Sequence, residues 1–320
     1  MMEGQLRRMR DPEGKPEGEI RRMKNPEGEI RRTKNPKGKV EGQMRETGTE
    51  RSPRGEIRRV VVKIGTSSLT YENGKINLHR MDSLCRVLTD LRNRGMEVLL
   101  VTSGAIGVGF GRMGLTRRPT ETQKRQALAA IGQCELMYMY DRTFGDYGQA
   151  AAQVLLTKEV TDAPVSRKNV ENTLEELLQM GVIPVINEND TVETAELEGE
   201  HFGDNDMLSA IVAEIVGADA LLILTDTEGL YNMDPRKHPE AEIIPFVPEI
   251  TAEIEALAGG EGTQRGTGGM TTKLRAAKYV TLRGISCHIF HGKRVKKLYG
   301  WLEGEALGTM FCPRACREEQ

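Results

Sequence analysis

Aromatic residues make up only 4% of this 320-residue chain, with a single tryptophan, and cysteine occurs five times. Five cysteines, an odd and scattered set (Cys85, Cys134, Cys287, Cys312 and Cys316), do not form a disulfide framework. Cys312 and Cys316 lack zinc-ribbon spacing, and Cys287, His288 and His291 fall in a stretch that reads as a buried strand, so neither group is a metal site. No stretch of eighteen consecutive apolar residues occurs and the N-terminus has no hydrophobic signal core, which excludes a spanning helix and a secretory leader and leaves the cytoplasm as the expected location. Also missing are a Walker A loop, a complete G-x-G-x-x-G opening a helix, and a Ser-His-Asp or Cys-His arrangement.

What is present divides into two materials. Residues 1–59 hold 17 Lys+Arg against 11 Asp+Glu, and the remainder 28 against 36, so the formal charge of −2 averages a basic arm and an acidic body. The arm repeats with a period of about ten: residues 21–30 (RRMKNPEGEI) are followed by residues 31–40 (RRTKNPKGKV), with weaker copies from Arg7 and from Ser52. Each unit carries turn signals and one aliphatic residue, too little burial to offset the ordering entropy. Residues 1–56 are therefore expected to be a disordered extension. Interspersed acids and the lack of aromatic rings argue against nucleic acid as its partner; a later translational start, such as Met44, is an alternative origin for it.

From Val60 onward, short β-branched runs alternate with helical stretches. Strands are expected at 60–64, 98–102, 153–156, 182–186, 220–225 and 286–290, and helices behind Asn77, over 166–180, over 205–216 and over 270–283, with Gly95, Gly181, Gly217 and Gly284 as stops. Strands that are apolar throughout and separated by helices imply a mostly parallel sheet covered on both faces. Ligands bind such sheets in the loops after the strands.

Those loops carry the chemistry. Lys63 closes the first strand and is followed by Gly65-Thr-Ser-Ser68. The second strand runs into Ser103-Gly-Ala-Ile-Gly107, whose glycines let backbone N–H groups approach an anion. Asn187-Glu-Asn-Asp190 follows the fourth strand, and Gly203-Asp-Asn-Asp206 opens the helix after it. Such dense carboxylates and amides orient an ammonium-bearing substrate, hold Mg2+ or position lysines; they also serve as caps and turns. A long polar loop begins at Thr225-Asp226, and a glycine-rich loop over 259–269 leads into a helix with Lys273 in its first turn, suited to nucleotide phosphates. Two lysines and an acidic cluster with no activated nucleophile fit phosphoryl transfer better than covalent hydrolysis.

Taken together in order, 61–69, 101–107, 186–190, 202–209, 224–231 and 266–273 resemble the glutamate 5-kinase family of the amino acid kinase superfamily, a match running from about Val60 to Pro313. The resemblance implies a doubly wound α/β/α sandwich with a mostly parallel sheet, and ATP- and Mg2+-dependent phosphorylation of the γ-carboxylate of L-glutamate. It implies catalytic roles for Lys63, Lys273 and Asp206, and glutamate binding by Ser103, Asp190 and Asn205, with Asp204 as a neighbour. The nucleotide site it implies comprises Lys63, Thr225, Asp226, Thr267, Gly268, Gly269, Met270, Thr271, Thr272 and Lys273; it assigns no metal ligands. Residues 191–201 resemble a loop linked in that family to glutamate binding and proline feedback, and the family forms homo-oligomers. Many members carry a C-terminal PUA domain. Here residues 308–313 resemble the end of the kinase domain, so the expected organisation is an arm (1–56), a kinase domain (57–313) and a tail (314–320) without that domain. A sister kinase for another carboxylate and a catalytically dead sensor remain the alternatives.

Overall fold

The computed structural model describes residues 57–71, 73, 75–192, 205–258 and 269–313. The repeat arm, residues 193–204, the glycine-rich loop with Thr267 and Gly268, and the C-terminal tail lie outside the described residues.

The chain opens with β1 (Arg59–Ile64), a single helical turn α1 (Thr66–Leu69) and α2 (Leu78–Asn93). The Asn77 side chain caps α2 by accepting from the Arg80 backbone N–H at 3.2 Å, and Gly95 at φ 92° turns the chain into β2 (Glu97–Val101). α3 (Ala105–Arg112) and the long α4 (Thr122–Gly145) lead to β3 (Ala151–Leu156). Next come α5 (Lys158–Asp162), α6 (Pro164–Gln179), β4 (Ile183–Glu188), α7 (Asn205–Ile215) and β5 (Ala220–Thr225). The last part holds β6 (Phe246–Val247), α8 (Ala252–Leu257), α9 (Met270–Thr281), β7 (Ser286–His291), a 3-10 turn, α10 (Leu298–Leu302) and β8 (Thr309–Phe311).

The eight strands form one sheet in the order β3-β4-β2-β1-β5-β7-β8-β6, parallel from β3 through β7, with β8 antiparallel to β7. Side-chain alternation along β1 explains the layers. Val60, Val62 and Ile64 join a core with residues of α2, α4 and α10, while Val61 joins a second core with residues of α6, α7 and α9. The result is the expected doubly wound α/β/α sandwich. The chain runs outward from β1 to β2 and β3, returns to β4, and then crosses to β5 on the other side of β1. That reversal leaves a crevice at the carboxyl ends of β1 and β5, where open α/β sheets bind ligands.

Three features differ from the sequence reading. β4 continues through Asn187 and Glu188, so the first two residues of the acidic cluster lie within the strand and pair with Leu155 and Leu156 of β3. The segment at Thr66–Leu69 is a helical turn, nucleated by hydrogen bonds to the Gly65 and Thr66 carbonyls. The short β6 and β8 escape sequence reading because two or three residues give no periodicity.

Candidate active site

The β1 alternation that sends Val61 toward α7 and α9 sends Lys63 the same way. Asp206 lies in the first turn of α7 and Lys273 in the first turn of α9, so three elements far apart in sequence bring these side chains together. Lys63 Nζ lies 2.5 Å from Asp206 Oδ1, and Lys273 Nζ lies 3.0 Å from Oδ2. Thr272 Oγ1 also donates to Oδ2 at 3.0 Å. Asp206 is 0% exposed and each lysine side chain 7%. Burial works against the Asp206 charge, but the two ammonium groups outweigh it and hold the carboxyl well below the usual carboxylate range. Two ammonium groups thus meet around one carboxylate in a nearly dry place, an arrangement suited to meeting an anion.

On the other flank of β1, Thr66 Oγ1 and Ser103 Oγ are 3.2 Å apart, and Ser103 Oγ donates to the Ile64 carbonyl at 3.4 Å. Gly104, at φ 103°, turns the chain from β2 into α3, a conformation that only glycine adopts without strain. Thr102 Oγ1 and Tyr140 Oη, 2.8 Å apart and buried, brace the same turn from α4. Asp190 follows the end of β4. Asn205 opens α7 and donates through Nδ2 to Asn187 Oδ1 at 3.3 Å.

Beside Lys273 opens a cavity of about 370 Å3, lined by residues of the loop after β5 together with Gly269, Met270, Lys273 and His291. Thr225 and Asp226 belong to its wall, and Thr225 Oγ1 donates to Asp226 Oδ1 at 3.2 Å. The loop is anchored from β8, where Thr309 Oγ1 accepts the Leu230 N–H at 2.8 Å. A Cβ on Gly229 would come within 2.6 Å of the Thr309 oxygen, so the anchor demands glycine there.

Of the sequence-expected residues, the structure therefore brings Lys63, Asp206, Thr272 and Lys273 into one cluster and places Thr225, Asp226, Gly269 and Met270 on the cavity next to it. Thr271 instead points its hydroxyl to the Ala258 carbonyl at 3.1 Å, away from that cluster. Two residues were missed: His291, which reads as an ordinary strand residue, and Gln133, a buried amide on α4. Gln133 had a signal, being a polar residue on the helix face that carries Ala129, Leu136 and Tyr140. Cys287 and His288 are buried strand residues, as expected. Among the described residues no group of three or more His, Cys, Asp or Glu could hold a metal ion, and no helix is long and apolar enough to cross a membrane.

Residues 58–291 match the amino acid kinase family. The chain belongs to that family. This amino acid kinase is 51% identical over 258 residues to a glutamate 5-kinase from Listeria monocytogenes serovar 1/2a, covering 80% of this chain and 94% of the relative. It is 50% identical over 255 residues to one from Clostridium perfringens, covering 79% and 95%, and 48% identical over 256 residues to one from Lactococcus lactis, covering 80% and 95%. Solved relatives share the fold at low identity. A UMP kinase from Bacillus anthracis superposes with a TM-score of 0.54 at 15% identity over 81% of this chain and 98% of the other. A carbamate kinase from Giardia lamblia bound to AMP-PNP gives 0.55 at 17% identity over 80% and 98%.

Proposed function

We propose that this amino acid kinase transfers the γ-phosphoryl group of ATP to the side-chain carboxylate of L-glutamate, giving L-glutamyl 5-phosphate, the first step of proline biosynthesis. The carrying observation is the half-identity to glutamate 5-kinases over nearly their whole length, in a chain whose own buried Lys63–Asp206–Lys273 cluster suits phosphoryl transfer.

The chemistry needs little from the protein beyond position and charge. The glutamate γ-carboxylate, with a reference pKa of about 4.3, is ionised near pH 7 and attacks phosphorus without a general base. Lys63 and Lys273 neutralise the oxygens of the migrating group, and Asp206 fixes both lysines before the substrate arrives, so no reorganisation is needed at the moment of transfer. Ser103, Asp190 and Asn205 hold the amino acid, while Thr225, Asp226 and the start of α9 border the nucleotide. Thr267 and Gly268, outside the described residues, extend that nucleotide loop. A Mg2+ ion bound with the nucleotide would supply further positive charge beside the phosphates. Asp206 is unsuited to it because both its oxygens are held by lysines, whereas Asp226, on the cavity wall, is a carboxylate that fits. The kinase domain of this reading spans residues 57–313 and acts as a homo-oligomer in the cytoplasm, with proline as a feedback ligand.

The test is an ATP-dependent hydroxamate assay with glutamate, N-acetylglutamate and aspartate. Glutamate-dependent product and ADP release are expected. A preference for another acceptor, or no turnover with any, overturns the assignment.

A further inference from the structure

The contact between Asn205 and Asn187 continues inward. Asn187 Nδ2 donates to Gln133 Oε1 at 2.8 Å, and Asn205 Nδ2 donates to Asn187 Oδ1 at 3.3 Å. Three side-chain amides from α4, β4 and α7 thus form a chain with one direction. A primary amide carries its acceptor and its donors on opposite sides, so fixing the first fixes the rest. Gln133 accepts, Asn187 meets it with its NH2 and turns its oxygen to Asn205, and Asn205 spends its NH2 on that oxygen. The Asn205 Oδ1 that remains is buried and has no hydrogen-bond partner among the described residues. Leaving such an acceptor unpaired is costly, and a ligand donor recovers that cost. It sits one residue before Asp206, at the head of α7.

On the functional reading above, the ligand is glutamate, which offers two carboxylates and one ammonium group. A carbonyl oxygen can bind only the ammonium. Glu188 and Asp190, which follow Asn187 at the end of β4, add carboxylates on that side, the sign of charge that an ammonium group favours. We propose that Gln133 is a positioning residue for substrate recognition: through Asn187 it holds the Asn205 amide in the orientation that presents Oδ1 to the substrate ammonium. Gln133 touches no reacting atom. It acts by excluding the flipped amide, which would present NH2 to a cation.

Steady-state kinetics of the full chain with L-glutamate and with glutarate, which lacks the ammonium, test this. Wild type is expected to favour glutamate in kcat/KM. Gln133→Leu is expected to raise the glutamate KM by ~10-fold while leaving the ATP KM and the glutarate kcat/KM within about twofold, because the lost interaction involves only the ammonium. Gln133→Glu keeps an acceptor in place and is expected to retain the preference for glutamate. Where Gln133→Leu fails to show a cooperative melt, Gln133→Met, closer in shape to glutamine, takes its place in the same comparison. Equal losses with both substrates, or an unchanged glutamate KM, reduce Gln133 to a packing residue and overturn the proposal, as does a wild-type enzyme indifferent to the ammonium. A wild type that releases no ADP with glutamate overturns the functional reading instead, and is recognised before any variant is made.

Discussion

Lys63 Nζ and Asp206 Oδ1 stand 2.5 Å apart, tying the end of β1 to the first turn of α7 across 143 positions of sequence. The same carboxylate holds Lys273 from α9, so a single buried side chain organises three elements around one cavity edge.

Removing that organiser has two separable costs. Asp206→Asn leaves two buried ammonium groups without their counter-charge, and breaking a buried ion pair by deleting one partner costs about 3–5 kcal/mol. A lower thermal midpoint is expected together with a loss of turnover of ~10²-fold or more. Chemical denaturation and initial rates measured on the same preparation check both; a variant with full activity removes Asp206 from the proposed mechanism.

Lys63 and Lys273 are expected to matter in turnover more than in binding. Either lysine changed to Ala deletes one donor aimed at charge that develops during transfer, for which ~10²-fold in kcat is the usual scale. Glutamate KM should change far less. Rates under saturating ATP and glutamate decide it, and near wild-type kcat in either variant sinks that lysine's role.

Asp190→Ala is expected to have the opposite profile. Asp190 lies just beyond the end of β4, and on the proposed reading it holds the amino acid, so its loss should raise glutamate KM by ~10-fold or more with kcat little changed. An unchanged KM would assign Asp190 to the turn alone.

Much of this arrangement was legible in the sequence, for physical reasons that particular residues show. The bounds of β5 are legible because Ala220–Leu224 is an unbroken apolar run closed by the β-branched Thr225, and it sits behind Gly217, whose φ of 59° ends α7. Lys63 and Lys273 were legible as charges at element ends. What the sequence could not carry was direction and distance. The Lys63–Asp206–Lys273 contacts depend on which face of β1 turns toward α7, and the amide chain through Gln133 joins residues 54 apart. β8 was invisible at three residues, although Thr309 anchors the cavity loop.

Gly132 shows how tightly α4 is held against the substrate-side turn. A Cβ at Gly132 would lie 1.8 Å from the Ala105 carbonyl oxygen, and one at Gly109 would lie 2.0 Å from that of Leu128. Gly132→Ala must therefore push α3 and α4 apart, a form of overpacking that costs about 1–3 kcal/mol or more. Because α3 begins two residues after Ser103 and Gln133 adjoins Gly132, weaker glutamate binding is expected alongside the lowered melting midpoint. Retained wild-type stability would show that the two helices separate freely.

Stability at low pH is expected to fall in two stages with different origins. His288, 5% exposed on β7 and edge-on to the Trp301 ring at 5.4 Å, has its pKa pushed down to about 4 by burial, against a weaker opposing effect from its hydrogen bond to the Leu307 backbone. The folded protein thus refuses a proton that the unfolded chain accepts below about pH 6.5. Stability present above pH 6.5 is lost as the pH falls toward 4, by ~3 kcal/mol in the ideal case. Asp206 acts only further down. Its carboxyl is held below the ordinary value of 3.8, so its contribution is intact above that pH and disappears as the pH drops through its lower folded value. Urea unfolding at pH 7, 5.5 and 4.5 follows the first stage, and a further series below pH 3.8 follows the second. Whatever its absolute stability, His288→Phe is expected to flatten the dependence between pH 6.5 and 4, and an undiminished slope in that variant would place the titrating group elsewhere.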